Sequence, residues 1–460
     1  MHPSTCRRIG RLSVFVATLL WWVPALGALS PSAQDRYEVH LLTIDQGDQV
    51  WELFGHNALL VIDRDRGSAT AWNWGIFDFG DVDFIPRFLR GTMRYQMAGM
   101  NPDAMVEAYR RDNRTIWANQ VFLTPDEAEA LAEHIAWHNL PENRHYTYDY
   151  FRDNCSTRIR DALDLAMGGT LLERFHPRET PHSYRWHSRR LVQVTGWVDQ
   201  GLSFLLGPRG DVPLTEWEAM FIPMEMTRLL EGYERPGPDG EPMPLLGPRE
   251  VIFEANRLPT PDDAPPFSAF MALLGFLGGG LLLFLGWKAA EVRGRGPSGN
   301  GDRFPGPTSY LVAFGTAAGI WTLFSGALGW LLVASWFTDH VFIHWNLNLF
   351  YASPLAPLVL VFLVPALASG ARARGFWGRW AWRTAAVVAA LSVGMGLLQA
   401  VGIFSQGNGE VIAAALPLNL ALALAAARIH REAPLGSGAQ PLPATEATAS
   451  TTRSASAITL

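Results

Sequence analysis

One thiol dominates the chemistry this sequence can perform. Cys155 stands in Asp153-Asn154-Cys155-Ser156, and Ile159, Leu163 and Ala166 follow at helical spacing, so the cysteine opens a predicted helix. A helix start carries partial positive charge and favours a thiolate, and Arg152 and Arg158 act in the same direction. Asp153 or Asn154 supplies the cap. The only other cysteine, Cys6, precedes the first apolar run, in a segment expected to be removed, which leaves one thiol and no internal disulfide. A lone thiol is usually a small buried apolar group. In an exported chain it also invites oxidation, which favours a nucleophile over a structural residue.

A thiol nucleophile needs a base, and His56 in Phe54-Gly55-His56-Asn57-Ala58 is placed where a strand begins after a polar turn. The other histidines fit less well. His134 and His138 are four apart on one helix, but no third ligand accompanies them, so an exposed helix face is expected rather than a zinc site. His182 and His187 fall in an irregular Arg-rich stretch, and His40 lies on a strand. A base is usually oriented by a third group, for which Asn73 and Asp78 are both candidates.

Several classes are excluded. The net charge is −6 with no basic tract, which argues against nucleic acid. There is no Gly-x-Ser-x-Gly elbow, P-loop or dinucleotide fingerprint. The only lysine, Lys288, is placed on the cytoplasmic side, so no lysine base serves the soluble half. Neither a metal nor a cofactor is called for.

The elements that must position these groups read as α+β. Tyr37–Ile44 alternates as a strand. Asn57–Ile62 and Ala71–Phe79 follow as strands, with a hairpin turn between them. Pro102–Arg110 and Pro125–Asn139 are helical, the second capped by Thr124. His145–Phe151 is β-prone, and the Cys155 helix runs to about Met167 before Gly168-Gly169. Residues 190–206 and 215–231 are apolar helices rich in Trp197, Leu202, Trp217, Met220 and Phe221; core packing and shallow membrane docking are both open to them.

Arg7, Arg8 and Arg11 precede the apolar run Leu12–Leu26 and small residues follow, which is the pattern of an export signal over residues 1–30. Residues 31–262 then form an extracytoplasmic domain that ends in a proline-rich connector, Pro236–Pro266. Residues 263–432 hold uncharged stretches at Phe267–Trp287, Leu311–Phe337, Leu349–Ala368, Ala385–Phe404 and Val411–Ala427. The third carries Pro354, Pro357 and Pro365 and is expected to be kinked or partly re-entrant. Arginines and the single lysine fall in alternate loops, which sets the soluble half outside. The expected address is the bacterial inner (cytoplasmic) membrane, crossed about five times, with the thiol domain in the periplasm. Residues 433–460, rich in Ala, Ser, Thr and Pro, are expected to form a disordered cytoplasmic tail.

The order of a histidine on a strand, a further strand, then Asn-Cys at a helix start resembles the circularly permuted papain-like enzymes, which include NlpC/P60 relatives. More closely, residues 36–235 resemble the Lnb N-terminal periplasmic domain family. The resemblance rests on Leu41-Leu42-Thr43 with Gly47-Asp48, Phe54-Gly55-His56-Asn57-Ala58, Asn73-Trp74-Gly75-Ile76-Phe77-Asp78-Phe79, Pro141-Glu142-Asn143-Arg144 and Asp153-Asn154-Cys155-Ser156-Thr157-Arg158. It implies a permuted papain-like domain and a Cys–His thiol acyltransferase of the Bacteroides lipoprotein N-acyltransferase type, with Cys155 and His56 at the matching positions. The implied substrates are a membrane phospholipid donor and a lipoprotein acceptor. Asn154 and Asp78 near the site are candidate substrate-binding residues, as are His340, His344 and Asn346 at the outer ends of the second and third stretches. The competing readings are a peptidoglycan amidase or endopeptidase and a non-catalytic membrane scaffold.

Overall fold

The computed structural model describes residues 36–78, 80–237, 240–294, 308–368 and 375–432. The expected signal segment and the expected tail lie outside these residues.

The sheet forms where the strand patterning placed it. β1 (Tyr37–Ile44), β2 (His56–Asp63) and β3 (Ser68–Ile76) are joined antiparallel, with Ile44 opposite His56 and Ala58 opposite Asn73. β4 (Arg94–Met100), β5 (Ile116–Val121), β6 (His145–Thr147) and the strand Glu250–Phe253 complete a seven-stranded sheet. Its order is Glu250–Phe253, β5, β1, β2, β3, β4, β6. The proline-rich connector is thus not simply a linker: Glu250–Phe253 pairs with β5 as an edge strand. The β-prone stretch after His145 is shorter than expected because Asp149 and Asp153 close a loop on each other.

Side-chain alternation sends the two faces of the sheet to different cores. Leu41, Leu59, Val61 and Trp74 pack with α3 (Pro125–His138) and α4 (Cys155–Ala166). Leu42, Ile44, Ala58 and Ala71 pack instead with Met105, Val106 and Tyr109 of α2 (Pro102–Arg111). Between β3 and β4 runs the short helix α1 (Phe84–Arg90).

After α5 (Thr170–Phe175) come two helical pairs, each broken where one helix was expected. α6 (Tyr184–Val192) and α7 (Gly196–Leu205) are separated by a turn at residues 193–195. α8 (Glu216–Ala219) and α9 (Pro223–Glu231) part at Pro223, whose ring cannot continue the preceding turn. His187, expected in irregular chain, lies on α6 and is buried. Of the two apolar segments, the second is core: Met220 and Phe221 are buried, and Arg160 lies 3.9 Å over the Trp217 ring. Trp197 remains 75% exposed.

The C-terminal region is all helical. α10 (Ala269–Gly294), α11 (Ser309–Ser335), α13 (Phe376–Ala400) and α14 (Gly409–Glu432) are each long and apolar enough to cross a bilayer. α12 (Ala356–Ala368) is not, because residues 347–355 do not join it as helix. Non-helical backbone at membrane depth must be satisfied by neighbours. Asn419 Nδ2 donates to the Tyr351 carbonyl at 2.9 Å and Ser392 Oγ to that of Phe350 at 2.8 Å. Gly326 and Gly329 of α11 leave room where a Cβ would strike Pro357 or the 352–354 backbone. The kinked third stretch expected from its prolines is therefore a half-helix preceded by a buried irregular segment.

Candidate active site

His56 and Asn73 share a face of the sheet with Ala58 and Ala71, the α2 face. Cys155 approaches with α4 from the other face. Cys155 comes up to the sheet where the β2–β3 ladder ends at Ala58–Asn73 and β3 bulges before Ile76. Gly75 sits in that bulge with φ +92°, a conformation that favours glycine, and a Cβ built on it would stand 3.7 Å from Cys155 Cβ. Immediately after His56, the Asn57 backbone N–H acts on the Cys155 thiol in the direction that lowers its pKa.

The imidazole is held by a defined network. Asn73 Nδ2 donates to the Ala71 carbonyl, so Asn73 Oδ1 accepts from His56 Nε2 at 3.0 Å. The proton on Nε2 leaves Nδ1 as the basic nitrogen. Of the two orienting candidates, Asn73 makes the bond. Asp78 is exposed and accepts instead from the Gly80 N–H at 2.7 Å. Tyr109 of α2 covers the imidazole, ring centroids 6.1 Å apart.

Asn154 is the cap: its Oδ1 accepts from Ser156 and Thr157 N–H, and its Nδ2 donates to the Tyr150 and Phe221 carbonyls. Its amide is committed to the loop and helix, with 5% of the residue exposed. Arg152 and Arg158 do not serve the thiol as expected. Arg152 pairs with Asp149, and Arg158 pairs with Asp153 while lying 4.3 Å over the Tyr146 ring. The cation whose charge reaches both Cys155 and His56 is Arg114, 4% exposed and hydrogen-bonded to the Asp45 carbonyl. Sequence reasoning passed over it because it lies 41 positions from the cysteine and outside any motif.

The electrostatics differ from a preformed ion pair. Burial pushes the Cys155 thiol above its ordinary value, against the pull of the Asn57, Ser156 and Cys155 N–H groups and of Arg114. Burial also lowers His56 to about 4, opposed by its bond to Asn73 and reinforced by Arg114. The helix-start argument alone predicts a thiolate; desolvation outweighs it, so burial keeps both the thiol and the imidazole neutral.

His340, His344 and Asn346 have no hydrogen bond to Cys155, His56 or Asn73 among the described residues. His340 Nε2 donates to the Phe88 carbonyl at 2.7 Å, and His344 Nε2 to that of Thr338 at 3.0 Å. Asn346 Nδ2 donates to the Phe204 and Leu205 carbonyls of α7. His138 corrects the exposed face expected for its helix: it is buried, and its Nδ1 accepts from Trp74 Nε1 at 3.1 Å. No group of three metal-ligating side chains occurs among the described residues.

A family model described as the Lnb N-terminal periplasmic domain matches residues 31–190, a span that holds His56, Asn73 and Cys155. The chain contains an Lnb N-terminal periplasmic domain. No curated protein and no solved structure matches the chain. With the apolar helices that follow, the Lnb domain marks a multi-pass inner-membrane protein whose mixed domain is periplasmic. The match supports lipoprotein N-acylation or related NlpC/P60 chemistry, the work of a cysteine-based enzyme.

The Lnb domain is joined firmly to the membrane helices. Arg189 of α6 bonds both Asp199 and Glu410 at 2.8 Å, and Glu410 opens the last span. Asp211 accepts from Arg185 and from the Gly407 N–H. Phe342, in the loop after α11, stands 4.6 Å from Phe151, ring to ring.

Proposed function

We propose that this protein is a membrane-bound thiol acyltransferase that forms an acyl-Cys155 intermediate from a membrane phospholipid and passes the acyl group to an amine, the N-terminal cysteine of a lipoprotein. His56 Nδ1 takes the Cys155 proton as Sγ attacks the ester carbonyl of the donor. The carbonyl C–O bond breaks, the lysolipid oxygen leaves with the proton from His56, and a thioester remains. The amine then attacks the thioester, the C–S bond breaks, an amide forms, and the proton lost by the amine returns through His56 to Sγ. Asn73 keeps the imidazole in the tautomer and orientation this requires. Backbone N–H groups around Sγ, those of Asn57 and Cys155, are available to the oxyanion.

The observation that carries this reading is one small apolar cluster. Phe54, two residues before His56, and Phe151, four before Cys155, pack with Tyr184, Phe221 and Phe342. The cluster ties both reactive segments to a loop at the outer end of the spans. An enzyme working on a soluble wall peptide has no need of that attachment, whereas one taking an acyl chain from the outer leaflet does.

The test is intact mass spectrometry of the purified protein after incubation with phospholipid vesicles, for wild type and Cys155→Ala. The expected result is a one-acyl mass increase on wild type only, removed by hydroxylamine. No adduct together with cleavage of wall peptides would establish the amidase reading instead.

A further inference from the structure

α1 and the turn before it carry an apolar face that the described chain leaves largely exposed, with the His340 ring edge-on to Phe88 at 6.3 Å. Val82 is 91% exposed, Ile85 and Leu89 each 62%, and Phe88 41%. Positions 82, 85, 88 and 89 fall on one side of a helical turn. Phe84 and Arg87 face the other way, Phe84 stacked on Phe77 and Arg87 paired with Asp81 and Asp83.

The place of α1 relative to the membrane follows from its contacts. The second span ends at Ser335, and four residues later the Asp339 N–H donates to the Arg90 carbonyl at 2.7 Å. Four residues reach at most ~14 Å, so α1 ends within the headgroup zone of a bilayer that holds α11. His340 adds its bond to the Phe88 carbonyl. Gly91, φ +77°, permits the approach: a Cβ there would stand 3.0 Å from Asp339 and His340 backbone atoms. Trp336 and Trp345 pair 5.2 Å apart beside Phe337, as in an interfacial aromatic belt.

Behind α1 opens a cleft of about 360 Å³. Phe84 and Arg87 form one wall, and Asp78, Arg94 and His145 offer charged or polar groups. Arg94 is exposed and has no ion-pair partner among the described residues. Ile76 and Phe77, which follow the Gly75 bulge against Cys155, line the same cleft.

We propose that Val82–Leu89 is a lip seated in the outer leaflet, and that the cleft behind it receives the zwitterionic headgroup of a glycerophospholipid from that leaflet. The apolar face of α1 meets the acyl-chain boundary, as an interfacial helix does. Arg94 meets the phosphate, with a ring N–H of His145 as a second donor, and Asp78 meets the ammonium. The headgroup part rests on the acyltransferase reading above; the lip does not.

Two measurements on the full-length protein separate them. In a Cys6→Ser, Cys155→Ser background, Ile85→Cys or Leu89→Cys is labelled with an environment-sensitive fluorophore, and the protein is placed singly in phosphatidylethanolamine/phosphatidylcholine nanodiscs. Quenching by a lipid carrying a nitroxide near the top of its chain, and not by an aqueous nickel chelate, is expected; a label at Asp65→Cys in the β2–β3 turn gives the reverse. Quenching of the α1 labels by the chelate alone overturns the lip. Shielding from both quenchers means that protein covers the face, and overturns it equally.

In the Cys155-containing protein, Arg94→Ala is expected to raise the KM for vesicle phospholipid about tenfold with kcat kept, since it removes a charge-assisted contact made alike in ground and transition states. An unchanged KM overturns the headgroup assignment. If wild type forms no acyl-Cys155 at all, the acyltransferase reading and the headgroup assignment fall together, while the quenching result still decides the lip.

Discussion

Asn73 Oδ1 lies 3.0 Å from His56 Nε2, and the same amide donates its Nδ2 to the Ala71 carbonyl on its own strand. The β-strand therefore sets which imidazole nitrogen is free. Asn73→Ala removes the orienting bond and is expected to slow acyl-Cys155 formation about 10–100-fold, less than the ~10²–10⁴ expected for His56→Ala. Asn73→Asp places a charge beside His56 and raises its pKa. A pH–rate profile whose acid limb moves up in Asn73→Asp checks the positioning role, because a merely structural residue would leave the limb where it is.

The neutral resting pair predicts the pH dependence of the thiol. With His56 near 4 and Cys155 above its ordinary value, alkylation of Cys155 by a small neutral reagent should gain its base-assisted rate as pH rises through about 4. It should then stay flat through neutrality and rise again only above the usual thiol range. An ion pair would instead give fast alkylation from acid pH upward with no second rise. Arg114→Gln removes the charge that lowers both groups, so both inflections should move up.

Asn154 predicts a folding defect rather than a binding one. Asn154→Ala loses a helix cap, about 1–2 kcal/mol, and leaves the buried Phe221 carbonyl without its donor. Thermal unfolding should fall accordingly. Asn154→Asp keeps the cap acceptors and should recover part of the loss.

Arg189 and Glu410 predict coupling between the two regions. Glu410 is 3% exposed, so Arg189→Ala strands a buried carboxylate and should destabilise by about 3–5 kcal/mol. Adding Glu410→Gln should return much of it. Limited proteolysis of the connector between Phe253 and Ala269, in detergent, reads the change.

Two buried histidines away from the site predict acid sensitivity. Burial lowers His138 to about 4 and His187 to about 3, so both fold uncharged. The unfolded chain binds their protons near pH 6.5 and the folded one does not. Stability is thus whole above that value and falls as pH drops toward the folded values, by up to about 1.4 kcal/mol per unit for each group. His187→Phe should flatten the slope of unfolding temperature between pH 6.5 and 4.

The architecture was legible in the chain, and so was the placement of the candidate residues on their elements, because both rest on short-range signals. Cys155 at a capped helix start, His56 at a strand start, Asn73 two strand positions before Gly75, and the alternation of basic loops are all local patterns. The α+β order and the apolar helices follow from periodicity for the same reason. What only the tertiary structure decided depends on which groups meet at long range. Burial set the protonation state of the thiol against the local helix-start argument. Asp149 and Asp153 took the arginines beside Cys155, and Arg114 arrived from another strand's end. The 338–346 loop, whose polar residues read as a candidate substrate site, bonds α1 and α7 and holds them to the spans. Glu250–Phe253, hidden in proline-rich sequence, became a strand because β5 presented an open edge. Pairing, desolvation and docking are properties of neighbours in space, and no window of sequence contains them.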